Sequence, residues 1–93
     1  MDIRNAHIKL APNTAFRAMG EEGVILRTDD GQLFSTNSTG TAFFQKLSEN
    51  ATAAHAITSM LDVFDVEEDV LVTDLCEMVS ALEAEGVVIV EHG

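Results

Sequence analysis

An α+β domain, with its strands first and three helices after them, is what this 93-residue sequence predicts. Three observations carry that expectation. Short apolar runs separated by glycine-containing turns occupy the first third of the chain. Apolar positions then recur at helical spacing through most of the remainder. Third, 46% apolar residues in a chain of this length suit one compact core, with no cysteine pairs needed to hold it. A three-stranded antiparallel N-terminal sheet followed by three α-helices gives a winged-helix-like architecture, read as a single domain over residues 1–93, with residues 1–7 as a flexible tail.

Phe16 to Met19 and Val24 to Thr28 are the first two strands, with Gly20-Glu21-Glu22-Gly23 between them. Glycine there supplies the positive φ that a hairpin loop requires. Asp29-Asp30-Gly31 makes a second turn and delivers the third strand, Gln32-Leu33-Phe34-Ser35-Thr36. In a meander of that order the third strand is an edge, and its outward amides and carbonyls are unpaired unless something covers them.

Helix one starts at Asn37 or Ser38, either of which can accept from free amides, and carries Phe43, Phe44 and Leu47. Helix two follows Asn50 or Thr52 as cap, with Ala53, Ile57, Met60, Leu61 and Phe64 forming its apolar stripe. Asp65 is expected to cap helix three, whose first-turn acids Glu67, Glu68 and Asp69 suit the positive end of the helix dipole. Leu71, Leu75, Met78, Val79 and Leu82 form its inner face, and Gly86 ends it. Val87 to Val90 is a short strand or extended tail.

Charge is unevenly spread. Five carboxylates and all five Lys and Arg precede Leu47, whereas eleven carboxylates and no Lys or Arg follow, so the net charge of −11 belongs to the back half. An acidic last helix opposes phosphate binding, which needs cations to displace condensed counterions, so no nucleic-acid partner is expected. The absence of Trp and Tyr also weakens single-strand stacking. His7, His55 and His92 stand far apart in the sequence, and no glycine-flanked nucleophile accompanies the Ser and Thr residues of 35–41. No catalytic residue, metal or cofactor is therefore expected. The lone Cys76 reads as a packed thiol in a reducing compartment, and neither a membrane span nor a signal segment is evident, so the protein reads as cytoplasmic.

Several pieces in order resemble one family. Ile8-Lys9-Leu10-Ala11-Pro12, the two hairpins, Asn37-Ser38-Thr39-Gly40-Thr41-Ala42, the Ile57/Leu61 helix, and Asp74-Leu75 through Leu82 to Gly86-Val87 together look like the PqqD family. Asn37-Ser38-Thr39-Gly40 is most similar to the stand-alone B1 proteins of lasso-peptide pathways. Thr36 replaces the leucine usual before the asparagine, and Ser48-Glu49-Asn50 lacks the usual Asp-Gly.

The resemblance implies a recognition element for ribosomally made precursor peptides, whose leader adds as an antiparallel strand to the third strand beside the third helix. It further implies a partner enzyme: a leader peptidase in a lasso pathway, or a radical SAM or other modifying enzyme in a related one. Peptide-binding candidates are Gln32, Leu33, Phe34, Ser35 and Thr36, mainly through backbone atoms, with Val70, Asp74, Glu77, Met78 and Ala81 as groove wall. The alternatives are a winged-helix DNA-binding regulator and an interaction module that pairs edge to edge as a homodimer.

Overall fold

A computed structural model describes residues 3–92. A 3-10 turn at Ile3–Asn5 leads into β1 (Ala6–Leu10), and β2 (Thr14–Met19), β3 (Glu22–Arg27) and β4 (Gln32–Thr36) follow as a meander. Three helices come next, α1 (Ser38–Ser48), α2 (Ala53–Leu61) and α3 (Glu68–Ala84), and β5 (Val88–His92) closes the chain. The expected strands-then-helices order holds. The strands divide into two antiparallel sheets, β2-β3-β4 and β1-β5.

The β1-β5 pair corrects the expectation of a flexible tail over residues 1–7. Ile3 is fully buried, and Ala6 and Ile8 point into the core while His7 and Lys9 point out. That period-two alternation marks a half-buried strand, and β5 supplies its partner in the register Ile8↔Val90. Met1 and Asp2 lie outside the described residues. Of the two readings offered for the Val87 to Val90 run, the strand is the one adopted.

Each helix boundary has a local cause. Asn37 caps α1 by accepting from the Gly40 amide at 2.9 Å. The helix ends in a left-handed residue, Asn50 at φ 70°, with Ala51 N donating to Lys46 O and Asn50 N to Leu47 O. This is a Schellman closure in which asparagine takes the place of glycine. Asn50 thus terminates α1, and Thr52 alone caps α2, its hydroxyl accepting from His55 N at 3.1 Å. Asp65 does not cap α3. Glu67 holds that position without a side-chain bond, leaving Glu68 and Asp69 as the first-turn acids. Gly86, at φ 73°, closes α3, with Val87 N bonding Leu82 O at 2.9 Å.

Phe43, Ile25, Ile57, Met60, Leu71, Leu75 and Val79 make the centre of the core, all nearly inaccessible. Phe44 links this centre to the sheet, its ring centroid 5.8 Å from both Phe16 and Phe43. Gly23 departs from its expected turn role. The turn is the two-residue Gly20-Glu21, with Gly20 at φ 67°. Gly23 instead sits within β3 where α1 crosses closest. A Cβ there would stand 2.8 Å from Thr36 Oγ1 and 3.0 Å from both Phe16 and Thr41.

Candidate functional site

β4 pairs with β3 on one margin only, in the register Ile25↔Phe34, and no other described strand joins the sheet beyond it. The hairpin geometry decides which of its backbone groups are left over. A two-residue loop makes Met19↔Glu22 a hydrogen-bonded closing pair. Bonded pairs alternate along an antiparallel ladder, so Val24 and Leu26 also bond β2, while Gly23, Ile25 and Arg27 turn to β4. Their partners are Thr36, Phe34 and Gln32. Leu33 and Ser35 are therefore the β4 residues whose amides and carbonyls face the open margin.

Side chains alternate in the other sense. Phe34 is half-buried against the core and Thr36 is buried, whereas Leu33, 62% exposed, and Ser35 lie on the outer face. Thr36 contributes no accessible side chain: its hydroxyl lies 2.7 Å from that of Thr41 beneath α1. That buried pair accounts for the departure from leucine at this position, since each hydroxyl satisfies the other.

α3 reaches the two ends of β4 through neighbouring elements, α1 at one end and β3 at the other. Near the C-terminal end of β4, a Cβ placed on Gly40 would meet Met78 Sδ at 2.6 Å and Thr36 Cβ at 3.5 Å. Near the other end, Arg27 donates to the Glu85 carbonyl at the close of α3. At about 100° per residue, Met78 and Glu85 share a flank of the helix with Asp74 and Ala81, and Val70 and Glu77 stand further round on the same side. Asp74, Glu77 and Ala81 are exposed, Met78 is half-buried, and Val70 is 48% exposed. Met78 is the candidate placed near the end of β4, through its approach to Gly40. Val70 stands about two turns earlier in α3.

Arg27 builds the site although the sequence did not single it out. Only 18% of its side chain is accessible, and it sits over the Phe34 ring at 5.2 Å. Nη2 donates to Asp30 Oδ2 at 2.9 Å and to Gln32 Oε1 at 2.7 Å, and Nε donates to Asp30 Oδ1 at 3.1 Å. The hydrogen bond from Arg27 holds the Asp30 carboxyl below the usual range, and Asp30 in turn raises the guanidinium. This cluster ties the β3-β4 turn to the end of α3. An arginine two residues before Asp-Asp-Gly was its only trace in the sequence.

Among the described residues no three His, Cys, Asp or Glu side chains stand close enough to hold a metal, and no helix is long and apolar enough to cross a membrane.

A three-stranded antiparallel sheet whose β4 margin no described strand covers, followed by a helix that carries Met78 and Ala81 beside Asp74 and Glu77, defines a winged-helix-like α+β domain. The model of the family described as coenzyme PQQ synthesis protein D (PqqD) matches residues 22–88. The chain belongs to that family. Among solved structures it is similar to one described as TbiB1 in complex with the TbiA(beta) leader peptide. The TM-score is 0.76 at 18% identity, covering 86% of this chain and 93% of that one. No curated protein matches.

Proposed function

We propose that the protein is a non-enzymatic peptide chaperone that captures the leader of a ribosomal precursor peptide by strand addition and presents the precursor to a partner enzyme. The observation that carries this reading is the open margin of β4: the chain's own last strand pairs with β1, not with β4. A leader strand would pair with Leu33 and Ser35 through two donors and two acceptors. Its alternate side chains would enter the groove walled by Phe34, Met78 and Ala81, with Asp74 and Glu77 available to basic leader residues. That TbiB1 is described with its leader peptide supports the same reading.

Magnitudes bound the affinity. Four backbone bonds contribute about 4 kcal/mol and two apolar anchors about 3–6 kcal/mol. Ordering the leader costs about 2–5 kcal/mol. The balance of about 2–8 kcal/mol places the tight end near a micromolar dissociation constant. The partner that fits this role is a leader peptidase in a lasso-type pathway, or a radical SAM enzyme or other modifying enzyme in a related one.

The test is titration of a fluorescent leader peptide, taken from the precursor encoded beside this gene, followed by anisotropy at low and physiological salt. Saturable binding is expected with a dissociation constant between about micromolar and millimolar, and a flat curve through the millimolar range would remove the proposal. A gel shift against the neighbouring promoter addresses the DNA-binding alternative, for which no retardation is expected.

A further inference from the structure

β1 has a second margin that β5 leaves open. The bond from Ala11 N to Val87 O, 2.9 Å, continues the β1-β5 register one pair past Leu10↔Val88 and shows which pairs are bonded. By alternation Lys9↔Ile89 and His7↔Glu91 are bonded, and the amides and carbonyls of Ala6, Ile8 and Leu10 turn the other way. No described strand pairs with them.

A cleft of about 740 Å³ follows that margin, bordered by each residue from Arg4 to Leu10 and, across from them, by Phe44, Leu47 and the segment leading into α2. Side chains alternate between faces along a strand. All five residues of β1 can therefore border one cleft only where it tracks the strand's edge, with backbone groups along its wall. The cleft shares no residue with β4 or α3.

Charge separates the two margins. The cleft border includes Arg4, His7 and Lys9 and no carboxylate, in a chain with sixteen acids against five Lys and Arg. Arg4 pairs with Glu68 and Lys9 with Glu91 at 3.0 Å, but both acids stand outside that border. The β4 margin is flanked instead by Asp74 and Glu77. We infer that the β1 margin is a second strand-docking site and that it takes an extended acidic segment of a partner protein. Acidic residues of that segment stand on the outer face beside Lys9, as opposite charges do across paired strands. Its intervening apolar side chains pack inward on Phe44 and Leu47. The two margins would thus sort incoming strands by charge, basic or neutral to β4 and acidic to β1.

The experiment uses the isotope-labelled full chain and two blocked hexapeptides, one alternating valine with glutamate and one alternating valine with lysine, observed by amide NMR. The glutamate peptide is expected to shift the amides of Ala6, Ile8, Leu10 and Ala51–Ala54 and to slow hydrogen exchange at the first three. The lysine peptide is expected to bind there about fivefold more weakly, the scale of one or two exposed ion pairs. Lys9→Glu should reverse that preference. Ala51→Trp, which fills the cleft without changing charge, should abolish both responses should the charge variant fold poorly. Shifts centred on Gln32–Thr36, equal responses to the two peptides, or none at millimolar concentration would overturn the inference. Ser35→Pro should leave this binding unchanged, so failure here is distinguishable from failure of leader capture at β4.

Discussion

Ser35→Pro probes leader capture most directly, because the ladder alternation makes the Ser35 amide a donor to the open margin and not to β3. Proline removes that donor and adds ring atoms along the docking line, yet leaves the β3-β4 bonds in place, which is why edge strands tolerate it. A leader carbonyl left buried without its partner costs about 1–3 kcal/mol. With crowding from the ring included, the total is about 2–3 kcal/mol, a dissociation constant raised about 30- to 150-fold. Phe34→Pro is the contrasting control. Its amide bonds Ile25 within the sheet, so it should lower the melting temperature sharply, whereas Ser35→Pro should lower it slightly. Anisotropy titration and a thermal melt on both variants read the two effects separately. A folded Ser35→Pro protein that binds leader with unchanged affinity would refute the assignment of β4 as the docking strand.

Other outcomes follow from the packing around this strand. Gly23→Ala forces a Cβ to within 2.8–3.0 Å of Thr36, Phe16 and Thr41 and should cost about 1–3 kcal/mol, read as a lower urea midpoint at constant slope. Thr41→Val strands the buried Thr36 hydroxyl and should cost about 1–3 kcal/mol, whereas adding Thr36→Val should recover part of that loss because neither partner is then left unsatisfied. Hydrogen bonds from Arg27 and Lys9 hold the Asp30 and Glu91 carboxyls below their ordinary values. The stability they contribute is present above the unfolded carboxylate range and lost as pH falls through the lowered native values. Urea midpoints measured from neutral pH down to the acid limb should therefore fall less steeply there for Arg27→Gln than for the parent.

The helices and the meander were legible because their signals are local: apolar residues at helical spacing, Asn37 as cap, Gly86 as terminator, and Asp-Gly between strands. Asn50 and Asp65 misled for the same reason. Each is a good N-cap by type, but Asn50 also tolerates the left-handed conformation that ends α1, and sequence spacing does not rank those two uses. The β1-β5 pair was missed because its partners are more than seventy residues apart and each run is short. The alternation Ala6, Ile8, Leu10 was the available sign. Of the site, the third strand as an edge could be read from order alone. Which residues present backbone to the open margin could not, since that depends on the hairpin closing at Met19↔Glu22 and not one residue later.

That dependence shows what the surrounding residues do for the site. Slipping β4 by one position against β3 would exchange its faces and its margins together, burying Leu33 and Ser35 and turning Phe34 and Thr36 outward. Two fixtures oppose the slip from opposite ends. At one, Gly23 admits the Thr36–Thr41 hydroxyl pair beneath α1, a fit that no other side chain in place of glycine allows without movement. At the other, Arg27 binds Asp30 and Gln32 within the turn and the carbonyl of Glu85 beyond it, so sliding the strand would break charge-assisted bonds, each stronger than a neutral one. Gly23 and Arg27 are positioning residues in this sense. Neither has its backbone groups on the docking margin, yet together they hold the register that leaves Leu33 and Ser35 available to an incoming strand.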